Sequence, residues 1–256
     1  MNSKSKIALI TGATSGIGEA SACLLAAAGF DLVLCGRNIQ KLEQLKRQLH
    51  DQVQVETLAF DVKDRQDVMA SISALPKEFQ NIDVLINSAG NAHGAEPVDT
   101  ANLEDWDEMI DANVKGLLYV TKAVLPAMVA KKAGHIVNLG SLAGLETYLN
   151  GSVYCATKSA VHTLSDAMRM DLNKHGIKVS CINPGMVETN FSITRFKGDE
   201  SRATKVYEGV KPLSAQDVAE VILFAVTRPH HVNIAQLLLL PLDQASINVV
   251  NRKQSK

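Results

Sequence analysis

Thr11-Gly12-Ala13-Thr14-Ser15-Gly16-Ile17-Gly18 stands between an apolar run at 7–10 and an Ala- and Leu-rich stretch at 19–28. In the order strand, turn, helix, this segment places a glycine-rich turn immediately before a helix N-terminus. Glycines let a backbone turn tightly and approach an anion closely. The first helical turn then offers free N–H groups and the positive end of the helix dipole. The segment is read as a cradle for the pyrophosphate of a dinucleotide. Its spacing is G-x-x-x-G-x-G rather than G-x-G-x-x-G. An ordinary glycine turn at a strand end is the competing reading.

Outward from this turn, apolar runs at 32–34, 53–60, 84–86, 136–139, 179–182 and 237–240 read as further strands. Helical patterns fill 40–49, 67–75, 103–132, 153–175 and 215–227. Alternating strands and helices predict an α/β fold, a doubly wound parallel sheet with helices on both faces. Short apolar runs without polar alternation suit strands buried on both sides. No repeat, low-complexity segment or linker divides the chain, so 1–256 reads as one domain. The stretch at 186–212 is polar and charged, follows a strand end and shows no strand pattern. Ligands bind at the C-terminal ends of such strands, so it is read as a lid over the substrate.

Composition narrows the class. Of 256 residues 46% are apolar, enough for a large core, and the net charge is −1 with both signs interspersed. No basic stripe suggests a nucleic-acid partner. Cys23, Cys35, Cys155 and Cys181 have no metal-ligand spacing, so no metal is expected and a reducing compartment is. The N-terminal residues show no apolar signal region. The run at 237–240 is stopped by Pro241 and is too short to span a bilayer. These features predict a soluble cytoplasmic protein acting on a small molecule.

The second strand ends Cys35-Gly36-Arg37-Asn38, with no carboxylate for a ribose 2′-OH. Arg37 could instead grip a 2′-phosphate, which favours NADP; a solvated arginine is the alternative. Tyr154 and Lys158 lie four residues apart on a predicted helix and share a face. A phenol titrates near about 10, and a neighbouring ammonium lowers that value. Such a phenol can exchange a proton with an alcohol or carbonyl oxygen. Ser141 follows the strand at 136–139, where its hydroxyl could bond the same oxygen. Asn113 sits in the long helical region and could organise a water. Taken singly, each is as readily a structural residue; their order along the chain with the glycine turn favours a site.

These motifs resemble those of the short-chain dehydrogenase/reductase family over nearly the whole chain. The matching residues are TGATSGIG at 11–18, Asp61-Val62, NSAG at 87–90, Asn113, Ser141, YCATK at 154–158 and PGMVET at 184–189. The resemblance implies a Rossmann-type fold with a seven-stranded sheet, commonly a homo-tetramer, and hydride transfer between nicotinamide and a carbinol carbon. It implies Tyr154 as general acid/base, with Lys158 lowering its pKa and binding the nicotinamide ribose. Ser141 would orient the substrate oxygen, and Asn113 would support a proton-relay water. For the cofactor it implies Gly12, Thr14, Ser15, Gly16, Ile17 and Gly18 at the phosphates, and Asp61 and Val62 around the adenine. Asn87, Ala89 and Gly90 would lie near the ribose, and Pro184, Gly185, Val187 and Thr189 around the carboxamide. Ser88 departs from the family's usual second Asn, which puts local hydrogen bonding in question.

The C-terminal third, including SITRFKGD at 192–199, is similar to the branch of NADP-dependent 3-hydroxy acid dehydrogenases, which oxidise serine, allo-threonine and related acids. A carboxylate substrate needs a cation. Among Arg195, Lys197, Arg202 and Lys205 in the lid, Arg195 is the expected partner, with His93 and Tyr148 lining the pocket. Leu145, where some members of the branch carry arginine, counts against an acid. A broad carbonyl, dicarbonyl or steroid reductase is the alternative enzyme. A nucleotide-binding regulator without turnover is the alternative class.

Overall fold

The computed structural model describes residues 5–253. Along the chain lie β1 (Ile7–Thr11), α1 (Gly16–Ala27), β2 (Asp31–Gly36), α2 (Ile39–Leu49), β3 (Val55–Ala59), α3 (Arg65–Ser73), β4 (Val84–Asn87) and α4 (Leu103–Ile110). A π-helical turn at Asp111–Gly116 leads into α5 (Leu117–Lys131), β5 (Gly134–Leu139), α6 (Ser152–Leu172) and β6 (Ile177–Pro184). The remainder comprises β7 (Val187–Glu188), α7 (Phe191–Arg195), α8 (Glu200–Lys205), β8 (Leu213–Ser214), α9 (Ala215–Val226) and β9 (Gln236–Leu239).

Seven parallel strands form the sheet in the order β3-β2-β1-β4-β5-β6-β9. Side chains alternate across it. Ala8, Ile10, Leu32 and Leu34 pack with Leu25 of α1, Leu42 and Leu45 of α2, and Ile222 of α9. Leu9, Val33, Leu85 and Ile136 face the other way, onto Val68 and Ile72 of α3 and Val120, Val124 and Met128 of α5. Two cores, one per face, explain why these strands read as unbroken apolar runs. Among the described residues, no helix is long and apolar enough to cross a membrane.

The chain leaves β1 toward β3 and returns to β4, so the winding reverses between β1 and β4. A crevice opens there at the carboxyl ends of the strands. One hydroxyl ties that point together. Thr11 Oγ1 accepts the Ser88 N–H at 3.1 Å and the Ala89 N–H at 3.0 Å. Ser88 is held through its backbone amide, so the side-chain departure at this position leaves the tie intact.

Two expectations need correction. The helical region at 103–132 is not continuous, because the π-helical turn interrupts it. The wider turn brings Asn113 inside, where its amide bonds both the N–H and the C=O of Asn91, each at 2.8 Å. The stretch at 186–212, expected to be a lid, is not free of regular structure either. It holds α7 and α8 and is closed at its base by β7 paired with β8. Those strands are two residues long, too short to leave a periodic trace in sequence.

Candidate active site

The glycine turn has the shape its composition suggests. Gly12 has φ +67, a left-handed conformation that favours glycine, and a Cβ there would meet the Ala89 backbone. At Gly18 a Cβ would overlap the Gly12 carbonyl, so the first turn of α1 packs directly on the loop before it. Ser15 caps α1 in extended conformation but makes no side-chain hydrogen bond to its amides. These first-turn amides are therefore free to receive an anion. Thr189 lies against Gly16, joining the turn to the segment after β6. A dinucleotide phosphate fits this cradle.

Arg37, at the end of β2, is 74% exposed at its side chain, with Nη1 3.8 Å from Asp61 Oδ2. Its charge is therefore available to a ligand. Val62 packs on Gly116 of the π-helical turn. Asn87 is buried, and its side chain donates to Thr121 Oγ1 at 3.0 Å and Asn138 Oδ1 at 2.9 Å. That amide nitrogen braces the interior, while its Oδ1 is buried without a partner among the described residues. Pro184 is buried at the end of β6, and the Gly185 N–H bonds the Leu239 carbonyl at 2.8 Å. Tyr207 Oη donates to the Val187 carbonyl at 2.9 Å and pairs with Ser192 Oγ at 2.7 Å, which ties the lid to the strand end.

Tyr154 and Lys158 project from one face of α6, as their spacing requires. Lys158 is buried and donates to the Leu139 carbonyl at 2.8 Å. Burial lowers its pKa to about 8. Ser141 caps the short 3-10 turn Leu142–Gly144, accepting the Ala143 N–H at 3.1 Å, and hydrogen-bonds Tyr154. Asn113 also donates to Thr157 Oγ1 at 3.1 Å, so both amide hydrogens are engaged within the protein. Water support by Asn113 then falls to its carbonyl oxygens.

The electrostatics of Tyr154 depart from expectation. Burial raises its phenol to about 12, against the lowering pull of the Arg195 guanidinium and the Ser141 hydrogen bond. Arg195 Cζ lies 4.9 Å from the Tyr154 ring centroid, whereas Lys158 Nζ lies at 6.0 Å and is committed to Leu139. The stretch at 186–212 thus brings the nearer cation. Arg195 is held by a 2.5 Å hydrogen bond from Nη2 to Tyr148 Oη and by the Phe191 ring, 5.4 Å away. Its Nε is buried without a partner among the described residues. Its carbonyl accepts the Gly94 N–H at 2.9 Å. Together these elements line a cleft whose walls include His93, Glu96, Asp105, Asn150, Tyr154 and Arg195.

The sequence profile of the family described as short chain dehydrogenase matches residues 6–200. This chain belongs to the short chain dehydrogenases. It is 44% identical over 253 residues to an NADP-dependent 3-hydroxy acid dehydrogenase of Schizosaccharomyces pombe, covering 98% of each chain. It is 43% identical over 242 residues to sulfoacetaldehyde reductase 2 of Chromohalobacter salexigens, covering 94% of this chain and 96% of that one. Among solved structures it resembles the closed form of serine dehydrogenase complexed with NADP+. The TM-score is 0.91 at 42% identity, over 97% of this chain and 100% of that one.

In this short chain dehydrogenase, the structure gathers Ser141, Tyr154, Lys158, Tyr148 and Arg195, with His93 on the cleft wall. Leu145 is exposed and is not among the residues lining this cleft. Residues that the sequence did not single out complete the wall: Glu96, Asp105, Trp106 and Asn150. The Phe191 ring lies tilted by 57° against Tyr154, with centroids 5.6 Å apart. Glu96 and Asn150 lie in loops that follow strand ends, whereas Asp105 and Trp106 sit on α4 and Phe191 opens α7, with no local signal to mark them.

Proposed function

We propose that this short chain dehydrogenase oxidises small 3-hydroxy acids with NADP+, and reduces the corresponding carbonyl acids with NADPH. The observation that carries this reading is Arg195. A half-buried guanidinium, clamped by Tyr148, stands beside the phenol that would handle the substrate's proton. A substrate with an anionic head a few atoms from its hydroxyl satisfies both groups. The relatives' names fit, because 3-hydroxy acids, serine and sulfoacetaldehyde each carry a carboxylate or sulfonate close to the reacting carbon. Arg37 and the absence of a carboxylate at 35–38 support NADP.

Ser141 holds the substrate oxygen, and Tyr154 Oη takes the hydroxyl proton as the alcohol becomes a carbonyl. Lys158 and Arg195 stabilise the phenolate, while Lys158 also reaches the nicotinamide ribose and Asn113 steadies a relay water. Gly12, Thr14, Ser15, Gly16, Ile17 and Gly18 hold the phosphates, with Arg37 at the 2′-phosphate and Asp61 and Val62 at the adenine. The strand ends at Asn87, Ala89 and Gly90 take the ribose. Pro184, Gly185, Val187 and Thr189 orient the carboxamide. The bound cofactor supplies a hydride acceptor at nicotinamide C4. His93 shapes the cleft and Tyr148 fixes Arg195. The chain acts as one domain with 186–212 as its lid, in a cytoplasmic homo-tetramer. Exposed Leu118, Met170 and Leu242 offer apolar surface for contacts between subunits.

The test is NADP+ reduction with serine, allo-threonine, 3-hydroxypropionate and 3-hydroxyisobutyrate against neutral alcohols. Acids should lead. Turnover confined to neutral alcohols or dicarbonyls would assign a general carbonyl reductase. Tyr154→Phe should lower kcat on the order of 10²–10⁴-fold with the fold intact by circular dichroism.

A further inference from the structure

Among the described residues lining the cleft, the fully charged types are Glu96, Asp105 and Arg195. Two of them already have a task. Arg195 is clamped on Tyr148 beside the phenol. Asp105, with its side chain 12% exposed, is paired with Lys197 at 2.9 Å across the gap between α4 and the lid. Glu96 differs. Its Oε2 accepts the Ala95 N–H at 2.7 Å, which anchors the carboxylate, but no ion pair to it is found among the described residues. Its second oxygen makes no hydrogen bond within the described protein.

The position of Glu96 is informative. Its carboxylate lies over Gly94, in the space a Cβ would take, and the Gly94 N–H is bonded to the Arg195 carbonyl. The loop carrying Glu96 therefore runs alongside the residue carrying the guanidinium. Asp105 Oδ2, which Lys197 holds, also lies close to Gly94; with that pair neutral, the cleft presents one cation, Arg195, and one carboxylate without an ion pair of its own among the described residues on adjoining walls. A substrate bearing only a carboxylate would leave Glu96 facing an anion uncompensated. A substrate bearing an ammonium next to its carboxylate satisfies both walls at once.

We propose that Glu96 is a specificity-determining residue that receives the 2-ammonium group of a 2-amino-3-hydroxy acid. This rests on the 3-hydroxy acid reading above and sharpens it, giving amino-bearing acids preference over plain ones. The Gly94 N–H bond to the Arg195 carbonyl makes the loop at 94–96 the wall next to the carboxylate's partner.

The experiment compares kcat/KM for serine and for 3-hydroxypropionate, which share the hydroxyl and carboxylate and differ in the amino group. In Glu96→Gln the ratio of the two should fall about tenfold or more, as for loss of a hydrogen bond to a charged group. Glu96→Asp, which keeps the charge on a shorter arm, should lie between Glu96→Gln and the parent. Thermal midpoints of both variants establish that they fold. A ratio within about twofold of the parent, or an equal fall with both acids, overturns the assignment of Glu96 while leaving the 3-hydroxy acid reading in place. Absence of turnover of either acid by the parent enzyme overturns both.

Discussion

At the end of β1 the molecule is held by backbone and a single hydroxyl. At 186–212 it is held by side chains. In the first region Thr11 ties two amides, Gly12 adopts a left-handed turn, and Gly18 lies directly on the Gly12 carbonyl. In the second, Tyr207 reaches Val187 and Ser192, Lys197 pairs with Asp105, and Arg195 is clamped by Tyr148. The physical consequence differs. A backbone cradle suits a group that every turnover presents unchanged, such as a pyrophosphate. A side-chain clamp can be retuned by substitution without disturbing the sheet, which suits substrate selection. The first region should therefore fail abruptly when altered, the second by degrees.

The largest effect is expected from Gly18→Ala. Its methyl meets backbone, not a yielding side chain, so overpacking should cost about 1–3 kcal/mol. NADP+ affinity should collapse with it, as read by thermal denaturation and a nucleotide fluorescence titration. Unchanged nucleotide binding would erase the contrast between the two regions.

Arg195→Met should lower kcat/KM for acids roughly 10–100-fold while NADP+ affinity stays near that of the parent. It should also move the pH profile. Ser141, Tyr148, Cys155, Lys158 and Arg195 surround Tyr154, and Arg195 is the strongest group lowering a phenol that burial has raised to about 12. Removing it lets the phenol rise further, so the pH at which alcohol oxidation turns on should shift upward. A profile that stays put would mean that Lys158 alone sets it.

Arg37→Gln should reduce the preference for NADP+ over NAD+ by about tenfold, measured as the ratio of kcat/KM with the two cofactors. The smallest effect belongs to Lys197→Met, which releases Asp105 from a partly exposed pair. A rise in KM of about two- to fivefold, with kcat little changed, would show the lid loosening without loss of chemistry. Lys197→Arg should recover most of it.

Strands, turns and the residues at strand ends were legible in sequence because each depends on local pattern. β1 is apolar from Ile7 to Ile10 and runs into glycines, and α6 shows Tyr154 and Lys158 at helical spacing. The π-helical turn was not legible. The one proline in 103–132, Pro126, lies beyond it in α5, and what rolls Asn113 inward is a bond to Asn91, twenty-two residues away. The lid charges were equally opaque, with four cations in eleven residues from Arg195 to Lys205. In the fold Lys197 is on Asp105, Arg202 stacks 4.4 Å from Phe196 and Lys205 is exposed, which leaves Arg195 facing Tyr154.

The order of short-range signals in the sequence was enough to set the doubly wound sheet, the phosphate turn and the pairing of Tyr154 with Lys158. Hydrogen bonding within strands and helices and the i, i+4 geometry act over a few residues, and so write themselves into local pattern. Which cation stands over Tyr154, and that Glu96 shares its cleft, depended on tertiary structure alone. Those contacts join loops far apart in the chain, and their partners are chosen by the packing of the lid against α4 and α6.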